Sequence, residues 1–237
     1  MSRKLMFAVL AVAGFAAGGA YASEAAIRKA FQARVEMQPE SVTKSHMPGL
    51  YEVVAEGQIF YVDEKVNFIL RGVMFDARGG SLRNVTAERN NQLTSATLTK
   101  SLDSAFRRVR GNGRRVLYTF EDPNCVYCKQ LHQELAKMTD LTVYTFLVPI
   151  LGPDSVEKSR AIWCSKDRAR AWDEVMAKGV APGPVKACDT PFDRNLELAR
   201  RFGIRGTPAV YLSDGDQIGG YVPAERIEQA LRSVSSK

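Results

Sequence analysis

The sequence predicts an α+β protein in two parts joined by a helical connector. Three observations carry this. Residues 50–76 hold strand-like runs broken by turn residues, preceded by one amphipathic segment. Residues 88–110 repeat apolar side chains at helical spacing after a polar stretch. Residues 114–234 alternate strand and helix signals in the order β, α, β, helices, β, β, α.

The chain opens MSRKLMFAVLAVAGFAAGGAYAS. Arg3 and Lys4 precede an apolar run from Leu5 to about Ala17, and Ala20-Tyr21-Ala22 fits a small-residue cleavage pattern. Residues 1–22 read as a secretory signal peptide. A membrane anchor is the alternative, but the run is shorter than the ~20 residues a span needs. Export places the mature chain in an oxidising space, here read as the bacterial periplasm, where disulfides persist.

Residues 23–87 form the first expected domain. EAAIRKAFQARVE spaces Ile27, Phe31 and Val35 four apart, which gives a helix with one apolar face. LYEVVAE, QIFYVD and NFILRGVMFDA follow as strands rich in β-branched and aromatic residues, with Gly57 and Asp63-Glu64-Lys65 as turns. A core of this size is marginal for a domain standing alone and gains from packing against a second copy. Residues 88–110 are expected as a linker helix, with Leu98, Leu102, Ala105, Phe106 and Val109 on one side and Gly111-Asn112-Gly113 as its stop.

Residues 111–237 form the second expected domain. RRVLYTFED is a strand, and a helix runs from Cys125 to about Met138. TVYTFLVPI is apolar almost throughout, as in a strand covered on both faces. Helical stretches at roughly 155–178 and 192–202 follow, then a hairpin around Asp214-Gly215 and a final helix opened by Pro223. This is the order of a thioredoxin-like fold with a helical insertion after its second strand.

Four cysteines follow the leader, and four permit three pairings. Cys125 and Cys128 form a CxxC where a strand ends and a helix begins. Unpaired N–H groups in a first helical turn, together with the helix dipole, stabilise a thiolate, lowering its pKa from ~8.5 towards 7 or below. With Asn124 or Asp122 as N-cap, Cys125 lies in that turn and attacks, and the deeper Cys128 resolves. Val126 and Tyr127 shape the surface between them. A zinc site competes, with His132 completing CxxCxxxH on what reads as an exposed helix flank. Cys164 and Cys188 do not supply a second CxxC, so no metal is expected. A purely structural CxxC bridge closes too small a loop to constrain much of the unfolded chain.

Thr207-Pro208 precedes the strand PAVYLS. Proline is awkward inside a sheet. In a thioredoxin layout this site faces the CxxC and offers backbone groups to an extended substrate, the alternative being an ordinary strand-opening proline with a trans bond. Cys164 and Cys188 lie within the insertion, away from the strand-to-helix junction. That position suggests a structural disulfide, with a second redox pair as the rival. Net charge is +7 over the whole chain, two of it from the leader, and it is spread along the sequence. That does not argue for nucleic acid, and none is expected as a partner; no cofactor is expected.

These motifs together resemble the DsbC/DsbG group of periplasmic thiol:disulfide isomerases, closest to its DsbC branch. The resemblance is carried by CVYC at the junction, AIWCSKDRARAWDEVM with the later ACD, GIRGTPAVYLSDG, and ILRGVMFD followed by NVT. It implies a V-shaped homodimer in which residues 23–87 form the dimerisation domain and the strand containing Gly72 and Met74 lies at the seam. It also implies Cys125 as nucleophile, Cys128 as resolving thiol, Thr207-Pro208 as a cis-proline substrate site and a Cys164–Cys188 bridge. Misfolded disulfide-containing secreted proteins are the implied substrates, and a DsbD-like membrane reductant the implied electron donor. A dimeric holdase and a DsbG-like reductase of single oxidised cysteines are the alternatives. Two departures stand out: Val126 replaces the Gly or Pro usual after the first cysteine, and Thr119 stands where thioredoxin carries a buried aspartate.

Overall fold

The computed structural model describes residues 23–180 and 182–235, and the expected signal peptide at 1–22 lies outside the described residues. Helix α1 (Glu24–Val35) starts at Ser23, whose hydroxyl accepts from the Ala26 N–H. Its buried residues, Ile27 and Phe31, seal one face of an antiparallel sheet ordered β1 (Pro39–Lys44), β2 (Leu50–Ala55), β3 (Gln58–Asp63), β4 (Ile69–Leu70). Phe31 meets Phe60 edge-on, with ring centroids 5.3 Å apart. Strand β1, PESVTK, gave no strand signal in the sequence, because only its Pro39 and Val42 are buried and polar residues fill the rest.

NFILRGVMFDA is not the single strand its composition suggested. Only Ile69 and Leu70 pair with β3, and Phe75–Asp76 (β5) pairs instead with Arg83–Asn84 (β6). Between them the Met74 N–H donates to Thr86 Oγ1 at 2.8 Å, and the Met74 carbonyl accepts from the Val85 N–H. Gly72 and Met74 therefore lie in a connecting segment. The backbone groups of Met74 are already used by the start of the next helix.

That helix, α2 (Val85–Lys100), is capped by Asn84. The expected linker helix over 88–110 is corrected here. The helix ends at Lys100, a short 3-10 turn spans Leu102–Ser104, and Phe106–Arg110 is strand β7. Leu98, Leu102 and Phe106 fit helical spacing, but β7 pairs in register with β9 from Phe106–Thr145 to Arg110–Leu141, burying Phe106 and Arg108 while Arg107 and Val109 face out. Side chains alternate on a strand, and sheet pairing overrode the local helical pattern.

The second sheet has the order β11 (Gln217–Gly219), β10 (Ala209–Leu212), β8 (Arg115–Glu121), β9 (Leu141–Leu147), β7. Strands β8 and β9 are parallel and the other pairings are antiparallel. Alternate residues feed two cores. Leu117, Leu141, Val143, Val210 and Leu212 pack with Leu131 and Leu135 of α3 (Val126–Ala136) and Ile227 and Leu231 of α7 (Ala224–Ser235). On the other face Tyr118, Phe120, Phe146 and Tyr211 pack with Leu98 of α2 and Leu198 of α6 (Phe192–Arg201). The stretch expected as one helix over 155–178 is two, α4 (Pro153–Trp163) and α5 (Arg168–Lys178), because Asp167 caps a new start with its carboxylate on the Arg170 N–H.

Helix α2 docks on the β10–β11 turn. Ser95 Oγ donates to Ser213 O at 2.7 Å, and Asn91 Nδ2 donates to Asp216 Oδ1 at 3.2 Å. Gly215 makes the approach feasible: at φ +87° a Cβ there would lie 2.0 Å from the Asn91 carbonyl. An ion pair at 2.6 Å between Arg201 of α6 and Glu40 of β1 adds a second contact between the two halves.

Candidate active site

Strand β8 ends in a buried acid pair, Glu121 and Asp122, and the chain then turns into α3. The turn closes when the Cys125 N–H donates to the Asp122 carbonyl at 3.1 Å. Cys125 is itself the N-cap of α3, correcting the expectation that Asn124 or Asp122 caps it and that the helix begins at Cys125. Its Sγ accepts from the Cys128 N–H at 3.3 Å, satisfying one of the unpaired donors of the first turn. The sulfur of an N-cap cysteine thus sits on the positive end of the helix.

The same Sγ lies 3.2 Å from the Thr207 carbonyl, across from the cis Thr207–Pro208 bond. Cys125 shows 6% of its surface and Cys128 none, and both are free thiols. The hydrogen bond from Cys128 holds the Cys125 thiol down to about 6 from an ordinary 9.0. Burial opposes this, while the Thr207 side chain and the backbone N–H groups of Cys128 and Tyr127 add to it. Burial pushes the Cys128 thiol far upward, helped by its bond to Cys125 and by the charge of Glu121. The surroundings thus favour the thiolate at Cys125 and the neutral thiol at Cys128. Val126 and Tyr127, between the two cysteines, are 65% and 59% exposed.

Asp122 fixes the surrounding loops. Its Oδ1 accepts from the Asn124 N–H and Ser155 Oγ, each at 2.8 Å, and its Oδ2 from the Ile150 and Leu151 N–H groups at 2.8 and 3.1 Å. One buried carboxylate therefore ties the CxxC turn, the segment after β9 and the start of α4 together. Asn124 extends the bracket to Asp154 at 2.6 Å and accepts from Lys158 at 2.8 Å.

Beneath the site lies a buried polar cluster that the sequence reading did not assemble. The Arg108 guanidinium is 3.6 Å from Glu121 and 3.6 Å from Asp173, and 3.4 Å from His132 Nδ1. Thr145 Oγ1 accepts from Arg108 at 3.2 Å, and the Trp172 ring lies 5.9 Å away. His132 is buried rather than on an exposed flank, because β7 and α5 cover that side of α3. Burial, reinforced by the Arg108 charge, depresses the His132 pKa to about 4. Burial raises that of Glu121. The signal available in the sequence was a charge at the end of the apolar run VLYTF; its partner Arg108 was hidden by the helical reading of 88–110.

Cys164 and Cys188 are joined by a disulfide, with Cα atoms 5.7 Å apart. Beside it Trp163 donates from its indole to the Asp189 carbonyl at 3.0 Å and stacks under the Arg168 guanidinium at 3.7 Å. This bridge and the CxxC flank the same small core of Ile162, Trp163, Trp172 and Val175.

Comparisons with known proteins fit this geometry. Residues 18–87 match the family described as "Disulfide bond isomerase protein N-terminal domain", and residues 102–235 match "Thioredoxin-like domain". A Bordetella pertussis protein named "Probable thiol:disulfide interchange protein DsbC" is 42% identical over 87% of this chain and 73% of its own length. The Escherichia coli K12 "Thiol:disulfide interchange protein DsbC" is 31% identical over 90% of this chain and 89% of its own. The chain belongs to the DsbC family. Among solved structures, a disulfide interchange protein from Neisseria gonorrhoeae covers 56% of this chain and 96% of that one, at 42% identity and a TM-score of 0.54. As a DsbC-family member the chain is a thiol:disulfide oxidoreductase with a family N-terminal domain followed by a thioredoxin-like one, and the α+β fold class read from sequence is the one found.

Proposed function

We propose that the chain is a periplasmic disulfide isomerase whose nucleophile is Cys125. The observation that carries this is the asymmetry of the pair: Cys125 Sγ accepts an N–H of the first turn of α3 and faces the cis Thr207–Pro208 bond, while Cys128 is fully buried. The Cys125 thiolate attacks one sulfur of a misplaced disulfide in a secreted protein. The substrate's second sulfur leaves as a thiolate and a mixed disulfide remains. A substrate thiolate then attacks the substrate sulfur of that bond and returns the Cys125 thiolate, so electrons balance with no net oxidant. Alternatively Cys128 gives up its proton and attacks Cys125. The substrate departs reduced and the enzyme becomes a disulfide, which a DsbD-like membrane reductant must reopen. The low pKa of Cys125 serves both directions, giving attacking thiolate at neutral pH and a good leaving group afterwards.

In this reading Val126, Tyr127, Thr207 and Pro208 receive the substrate, residues 1–22 direct export, and residues 23–87 form the dimerisation domain. Homodimerisation through the segment around Gly72 and Met74 is supported by the exposed large apolar side chains of this stretch: Phe68, Leu70, Val73, Phe75 and Leu82 are 77%, 56%, 60%, 51% and 68% exposed. The test pairs the reduction potential of Cys125/Cys128 with refolding of a scrambled multi-disulfide protein. Reshuffling that disappears in Cys125→Ser supports the reading, and strong oxidation without reshuffling overturns it. Trapping with Cys128→Ala separates isomerase from reductase, since captured partners of an isomerase contain several cysteines.

A further inference from the structure

A cavity of about 320 Å³ that the roles above leave unused reaches Thr207, the residue facing the Cys125 sulfur. Its lining is mostly apolar, with Val148, Ile150, Leu196, Ala199 and Ile204 as walls and Thr207 at the mouth. Both walls are anchored to the CxxC. Ile150 is held by its N–H to the Asp122 carboxylate, three residues before Cys125. The segment from Ile204 ends at Thr207, whose carbonyl lies 3.2 Å from Cys125 Sγ. Arg200 and Arg205 stand exposed at the rim, and Arg205 makes no ion pair among the described residues.

We propose that this cavity is a specificity subsite, taking an aliphatic or aromatic side chain one to three residues from the substrate cysteine, with acidic residues favoured beside it. The proposal rests on the exchange chemistry above and names the substrate class it selects. An extended segment advances ~3.3 Å per residue. A peptide whose cysteine meets Cys125 while its backbone runs along Thr207 therefore brings a near neighbour over the cavity mouth. Cysteines within apolar stretches are those buried in a correctly folded protein. A subsite of this kind selects chains that still expose such stretches. The cationic rim adds attraction for carboxylates without closing the mouth.

The test uses the full-length Cys128→Ser protein, which stops at the mixed disulfide, and short serine-rich peptides whose single cysteine carries a 2-nitro-5-thiobenzoate group. Cys125 thiolate attacks the peptide sulfur, a Cys125–peptide disulfide forms, and the coloured thiolate leaves. Leucine is placed in turn at each of the three positions on either side of the cysteine. At least one position accelerates the reaction about tenfold over the all-serine peptide. In Ala199→Trp, which adds bulk at one lining position, and in Ile150→Asp, which makes a 46% exposed lining position polar, that ratio falls below twofold. In Arg205→Glu the preference for a flanking aspartate over lysine reverses. Each ratio is taken within one protein, so loss of folded material cancels. No leucine position exceeding twofold in the parent, or a ratio preserved in both cavity variants, overturns the subsite. Silence of Cys125 towards oxidised glutathione as well would overturn the exchange chemistry together with it.

Discussion

The molecule holds two pairs of cysteines against one small core, and they differ in almost everything. Cys125 and Cys128 are free thiols at a helix N-terminus, one with its pKa held to about 6. Cys164 and Cys188 form a closed disulfide 24 residues apart, between the end of α4 and the irregular segment before α6. No special cysteine chemistry separates them. Cys125 receives an N–H from the turn it begins, whereas Cys164 follows its helix as the C-cap, where carbonyls rather than N–H groups are left over. A thiolate is favoured at the first kind of site and disfavoured at the second.

The strongest way to break the comparison is to exchange the roles by mutation. Cys125→Ser is expected to reduce disulfide reshuffling by at least ~10³-fold, since no other described sulfur is positioned to attack. Replacing Cys164 and Cys188 together with Ala leaves reshuffling at 25 °C within a few-fold of the parent, measured on the same scrambled substrate. That double replacement should instead cost about 3 kcal/mol of stability in urea unfolding, the loop-closure entropy of a bridge of this span. A loss under about 1 kcal/mol would show that the bridge does not restrain the unfolded chain. Next comes the bracket under the CxxC: Asp122→Ala strands four donors and should cost about 2 kcal/mol, with faster amide exchange at Ile150 and Leu151.

Finer effects sharpen the electrostatic side. Alkylation of native Cys125 should rise through a midpoint of about pH 6, while Cys128 stays silent until the protein unfolds. Thr207→Val should move that midpoint upward, since the Thr207 side chain helps hold the thiolate. Folding stability should also carry a weak acid limb from His132. Its folded pKa of about 4 lies below the ordinary 6.5, so between those values the unfolded chain binds the proton more readily. This contribution is complete above pH 6.5 and is lost as pH falls towards 4. His132→Gln should flatten that limb, read as urea midpoints across pH 4–7.

Much of this site was legible because its signals are local. A CxxC after VLYTFED and before an apolar-faced helix specifies a strand-to-helix turn, and with it the side on which the helix N–H groups gather. The Cys125 N-cap was missed by one or three residues, because Asn124 and Asp122 are better capping residues by type and nothing local shows that Asp122 is spent on Ile150, Leu151 and Ser155. Residues 106–110 were misread because a short edge strand has no periodicity strong enough to outweigh the helical spacing before it. Its identity comes from pairing with β9, some 35 residues on.

The sequence by itself determined the two-part α+β plan, the position of the CxxC at the head of α3 and the proline opening β10, since each follows from spacing within a few residues. Tertiary structure alone decided what lies across from the Cys125 sulfur: the Thr207 carbonyl, 82 residues on in the chain, sits 3.2 Å from it. It also gathered Arg108, Glu121, His132 and Asp173 from four elements. The physical reason is range. Backbone propensity and helix dipoles act within a turn, whereas burial and charge depend on neighbours that only a packed sheet brings together.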